Sequence, residues 1–167
     1  TAEELARGLK PTQLINSDQP DIIAKAQALL GNETDFDKKI TTLCRFVCDH
    51  IGDTLGGPTM AASEILKNPK GDCSEHAVLF TALARAAGIP TRQIGGLMYT
   101  GDQLRSFGWH AWVEVVKDGV WTAVDPTWNQ TTLAADHIRI DAGEGTAGML
   151  QLFGKLKVEV LSVEQAK

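Results

Sequence analysis

The sequence is short of several things that would narrow its class at once. It has only three cysteines, six prolines and one tyrosine in 167 residues. Three thiols cannot all pair within the chain, and Cys44 and Cys48, four apart in a helical pattern, are poorly placed for a disulfide. A disulfide-stapled scaffold is therefore excluded, and Cys44 and Cys48 read as core or half-core residues. No run of 18 or more uncharged apolar residues exists, so no segment of this chain is expected to span a membrane. Positive charge is also in deficit: 16 Lys+Arg stand against 21 Asp+Glu, and no basic patch with interleaved aromatics appears. A nucleic-acid partner is not expected.

What is present is an ordinary globular composition, 43% apolar and 22% charged, in a chain long enough for one continuous core. Residues 1–167 are read as one domain. Its start at TAEELARGLKPT, without an initiator Met or a signal peptide, suggests a domain excised from something longer with flanking domains.

Helical patterns come first. Residues 1–19 read as an irregular lead-in, after which Pro20 opens a helix that stops at Gly31. DFDKKITTLCRFVCDHIG carries Phe36, Ile40, Leu43, Val47 and Ile51 on one helical stripe. A short helix, MAASEILKN, is broken by Pro69. The apolar helix of GDCSEHAVLFTALARAAGIP then runs from Cys73 towards Gly88 and Pro90. Strand patterns follow in TRQIGGLMY, WHAWVEVV and VWTAVDP, with DHIRI a further candidate strand, GTAGMLQLFG a short helix or turn, and KLKVEVLSV a last strand. Lys117-Asp118-Gly119 is the turn of a hairpin. Helices before antiparallel strands imply an α+β domain.

Chemistry concentrates at three points. Asp72 and Glu75 form an Asp version of the capping box, which makes Cys73 the first helical residue. A thiolate there is favoured by the helix dipole, and the Cys73 backbone N–H is a candidate oxyanion donor. Thirty-seven positions on, strand alternation puts His110, Trp112 and Glu114 on one face and Ala111, Val113 and Val115 on the other. Counted outward from the turn, His110 lies eight positions before Asp118 and Asp125 seven after it, so the two meet at the far end of the hairpin. An Asp there can fix the imidazole tautomer and leave the other nitrogen for a thiol. Trp109, Trp128 and His76 are candidates for lining a substrate cleft. A zinc site built from Cys73, His76, His110 and Asp125 is chemically conceivable. His110 and Asp125 pair without metal, so no metal and no cofactor are expected.

GDCSEHAVLFTALARAAGIPTRQIGG, GWHAWVEV and WTAVDPTW, in that order, resemble the transglutaminase-like superfamily, in its bacterial cysteine-hydrolase branch. The resemblance covers residues 55–130 most closely. It implies a papain/transglutaminase-like fold, with a nucleophile-bearing central helix packed against an antiparallel sheet. It implies Cys73 as nucleophile, His110 as base and Asp125 as the residue orienting it, and places Arg92 in structure or substrate surroundings. The expected activity is a cysteine-dependent amide or peptide hydrolase acting on a protein or peptide substrate. The alternatives are a protein-glutamine transamidase and a non-catalytic peptide- or glycan-binding module. The residues are silent on location, whereas the family implies a periplasmic, secreted or cell-envelope setting.

Overall fold

The computed structural model describes residues 1–56, 60–101 and 103–140. The helix or turn expected in 145–154 and the strand expected in 155–163 lie outside the described residues.

Among the described residues, helices and strands follow in the order α1 (Ala2–Arg7), α2 (Pro20–Leu30), α3 (Phe36–His50), β1 (Gly52–Asp53), α4 (Ala62–Lys67), β2 (Lys70–Gly71), α5 (Cys73–Ala86), β3 (Thr91–Tyr99), β4 (Phe107–Lys117), β5 (Val120–Val124) and β6 (His137–Arg139). The lead-in is not wholly irregular, because Thr1 and Glu4 form a capping box that nucleates α1. Pro20 opens α2 from the first helical turn, where its missing N–H has no intrahelical partner to lose. Asp35 caps α3 by accepting from the Lys38 N–H at 3.0 Å. Gly88, at φ 76°, supplies the left-handed residue that ends α5.

The centre is α5. Its residues from Glu75 to Arg85 are all buried, because three helices cover one side and the sheet covers the other. Ile22, Leu43, Val47 and Ile65 from α2, α3 and α4 meet Leu79, Phe80 and Leu83, and Val113, Val115 and Val124 close the core from the sheet. The charged Arg85 is buried in this helix because its guanidinium serves backbone: Nε and Nη2 donate to the Thr91 carbonyl at 3.1 and 2.8 Å, and Nη1 donates to that of Lys10.

The main sheet is antiparallel, in the order β5-β4-β3-β6. Asp118 (φ 51°) and Gly119 (φ 81°) form the tight turn that sets Lys117 opposite Val120. This register puts Val113 opposite Val124 and brings the start of β4 towards the end of β5. A second, two-stranded parallel sheet pairs β1 with β2 directly before α5. Among the described residues no helix is long and apolar enough to cross a membrane.

Candidate functional site

The two faces of β4 have separate tasks. Val113 and Val115 belong to the core under α5. On the other face, Glu114 accepts from Arg92 Nε at 2.7 Å and from Arg139 Nη1 at 2.8 Å. Trp112 is 2% exposed on that face and meets the His137 ring edge-on at 5.1 Å. Arg92 also lies over the Trp121 ring, 4.2 Å from its centroid.

His110 and Asp125 come together as the hairpin count predicts, with His110 Nε2 2.7 Å from Asp125 Oδ2. They are not alone. His137 of β6 brings its Nε2 to 3.3 Å from the same carboxylate oxygen. Its Nδ1 lies 2.7 Å from Asp136 Oδ1. The other oxygen of Asp125 accepts the Thr127 N–H at 2.8 Å, an Asx turn that fixes the carboxylate. From the far side, α3 supports the same segment through two thiols. Cys44 Sγ is 3.5 Å from the Asp125 carbonyl, and Cys48 Sγ is 3.4 Å from that of Thr127.

Electrostatics follow from this packing. Burial pushes the His110 pKa down, but its hydrogen bonds with Asp125 and Cys73 and the charge of both outweigh it, raising it from 6.5 to about 9. Burial pushes Asp125 up, yet its bonds to His110, Thr127 and His137 hold it below the usual carboxylate value. Burial, reinforced by the Asp125 charge, takes the Cys44 thiol up to about 12.

Cys73 is the first residue of α5 and is half-buried. The capping box forms as expected: Asp72 accepts the Ser74 N–H and Glu75 accepts the Asp72 N–H, each at 2.9 Å. Gly71 is required here because there is no room for a side chain. A Cβ at that position would stand 2.4 Å from Cβ and Cγ of Glu75. His76 is 1% exposed, with Nδ1 2.7 Å from the Asp72 carbonyl, and has no surface for a ligand. Trp109 is half-buried opposite Leu97 on β3, and Trp128, just past the Asp125 turn, is 54% exposed.

The expectation of a catalytic triad is corrected by this arrangement. The ligating atoms of His110, Asp125 and His137 all lie within 4.8 Å of one another, and among the described residues that group contains no cysteine. The carboxylate that a triad devotes to one imidazole is divided between two. Cys73 adjoins His110 from outside the group, where it reinforces the imidazolium. The protein is therefore not read as a cysteine hydrolase or acyltransferase with a thiol nucleophile. His137 went unnoticed in the sequence. The signal was the alternation of DHIRI, which puts His137 and Arg139 on one strand face, but nothing local says that this strand docks beside β3.

A central helix packed on an antiparallel sheet, with a cysteine at its start and a histidine and aspartate on the adjoining hairpin, defines a papain/transglutaminase-like α+β protein. The transglutaminase-like superfamily model matches residues 23–126, and the chain belongs to that superfamily. Solved structures agree in fold. The chain is similar to a Cytophaga hutchinsonii protein described as a candidate cysteine protease, at 21% identity and a TM-score of 0.71 over 82% of this chain and 46% of that one. It is also similar to the periplasmic domain of TgpA from Pseudomonas aeruginosa, at 23% identity and a TM-score of 0.61 over 78% of this chain and 51% of that one. The chain thus spans about half the length of these two structures. No curated protein matches it.

Proposed function

We propose that this domain is a non-catalytic module that recognises polypeptide. The observation that carries this reading is the closure of the polar group on itself. Asp125 is fully buried, one oxygen facing two histidines and the other accepting Thr127 N–H. A buried carboxylate gripped by side chains and backbone from three segments is a rigid scaffold for the surface above it. Recognition then falls to that surface. Leu55, Leu104 and Trp128 are 94%, 72% and 54% exposed. Leu55 follows the strand paired to the lead of α5, Leu104 lies between β3 and β4, and Trp128 follows the Asp125 turn. All three belong to connections at the end of the domain where α5 begins. Apolar and aromatic side chains presented on loops suit a polypeptide with apolar side chains of its own.

The described activity of the Cytophaga protein, and of a Parabacteroides distasonis protein described as a candidate protease, also points to polypeptide as the ligand class. An extracytoplasmic location is part of this proposal, supported by the periplasmic TgpA domain among the similar structures.

The test is a random-peptide display selection followed by titration of the selected peptides. Binding should survive Cys73→Ala essentially unchanged and weaken about tenfold or more in Trp128→Ala, as for an exposed aromatic anchor. Intact-mass spectra should show neither peptide cleavage nor an acyl adduct on the protein. Selection of glycans but no peptides from parallel arrays would overturn the ligand class. Turnover of any peptide by the native chain, abolished in Cys73→Ala, would overturn the non-catalytic reading.

A further inference from the structure

We propose that His110, Asp125 and His137 form a binding site for one divalent transition-metal ion, with zinc as the preferred occupant, independently of polypeptide recognition. The donor set comes from three separate pieces of chain: β4, the turn after β5, and β6. The side chains are 5%, 0% and 3% exposed. Two imidazole nitrogens and one carboxylate oxygen suit zinc, which takes nitrogen and oxygen ligands without a demanding geometry.

Hydrogen-bond inventory is the decisive argument. His137 faces a carboxylate oxygen at each ring nitrogen, Asp136 Oδ1 at 2.7 Å and Asp125 Oδ2 at 3.3 Å. A neutral imidazole has one N–H to offer. With that proton on Nδ1, towards the shorter contact, Nε2 turns a lone pair on a buried carboxylate oxygen. A positive ion between them removes the conflict. It can be a second proton or a metal, and the surroundings resemble those of a metal. A carboxylate behind the distal nitrogen of a ligating histidine is the usual orienting partner, and Asp136 stands there. The Thr127 N–H holds the remaining Asp125 oxygen at 2.8 Å, which keeps Oδ2 directed inward.

Bonds of about 2.0–2.1 Å in a tetrahedron put neighbouring ligand atoms about 3.3 Å apart. The His137–Asp125 pair already stands at 3.3 Å, and the His110–Asp125 pair at 2.7 Å must open. This set differs from one using the Cys73-x-x-His76 spacing, because His76 is committed to the Asp72 carbonyl. Binding replaces the proton that His110 Nε2 shares with Asp125, so metal uptake releases a proton to solvent.

The experiment is calorimetric titration of EDTA-stripped protein with zinc chloride in two buffers of different ionisation enthalpy. Binding of a single equivalent at micromolar zinc, with proton release, is expected. His137→Gln and His110→Gln should each abolish it at that concentration, and Asp136→Asn should weaken it about tenfold. Cys73→Ser should bind as the native chain does. Thermal unfolding in EDTA confirms that each variant is folded. Cobalt(II) in place of zinc should give ligand-field bands without a sulfur-to-cobalt charge-transfer band. No binding at micromolar zinc would show that a proton alone bridges His137 and Asp125, and would overturn the site. So would zinc binding that is lost in Cys73→Ser and kept in His137→Gln.

Discussion

Replacing Gly96 by alanine tests whether the docking of β6 completes the polar group. Gly96 stands opposite His110 on one side and Arg139 on the other. A Cβ there would lie 2.2 Å from the Ile138 carbonyl oxygen and 2.5 Å from Cη2 of Trp112. The first of these is backbone, and the second belongs to an indole that is itself buried. Among the described residues β6 pairs with β3 alone, over three positions, so the easiest relief is for β6 to move away. Overpacking of this kind costs about 1–3 kcal/mol. Displacing His137 from Asp125 and Arg139 from Glu114 removes charge-assisted contacts worth about 1.5–3 kcal/mol in all. Gly96→Ala should therefore lose about 3 kcal/mol in urea unfolding, and β6 amides should lose protection from hydrogen exchange first. Gly108→Ala is the control, because its Cβ would meet only Thr100 Cγ2 at 3.4 Å, an ordinary contact. A Gly96→Ala protein within about 0.5 kcal/mol of the native one would refute the reasoning, as would a large loss with β6 still protected.

The thiols should differ in reactivity. Cys44, with its pKa raised to about 12 by burial, is about one part in ten thousand thiolate at pH 8. Brief iodoacetamide treatment followed by peptide mass mapping should label Cys73 first, Cys48 later and Cys44 last, and early loss of Cys44 would contradict the packing of α3. In metal-free buffer the raised His110 pKa predicts a stability change with pH. The folded value of about 9 exceeds the ordinary 6.5, so the contribution is complete below 6.5 and is lost as pH rises through 9, amounting to about 2 kcal/mol after solvent screening. The groups that raise it are Asp125 and Cys73, and Asp125→Asn should flatten the dependence. A native profile already flat between those values would count against the imidazolium. Gly71→Ala should cost about 0.5–2 kcal/mol by pushing Glu75 off the Asp72 N–H. Asp72→Ala should then add less to that variant than to the native chain, and strict additivity in a double-mutant cycle would show that the clash does not act through the cap.

Local rules made much of this fold readable. Pro20, Asp35, Asp72 and Gly88 mark helix ends by chemistry confined to a single turn, and the elements begin or stop where they stand. The Asp118-Gly119 turn fixes the register of β4 on β5, and that register brings His110 to Asp125. What escaped was non-local. Alternation separated the two faces of β4, but it suggested one apolar and one polar face, whereas both are covered. His137 and Arg139 of β6 reach Trp112 and Glu114 on the second face, and β6 joins β3 through a pairing that no nearby residue announces.

That pairing is what altered the functional reading. A histidine and an aspartate at a hairpin end, downstream of a cysteine at a helix start, imply a triad as long as nothing else reaches the carboxylate. Gly96 has no side chain, so Trp112 can lie across β3 and β6 can approach closely. Through that opening His137 reaches Asp125. The carboxylate then has two imidazoles to serve, and the second of them carries a further carboxylate behind it. The residue that determines what the site can hold is thus the glycine that admits β6, more than the three residues whose chemistry stands out in the sequence.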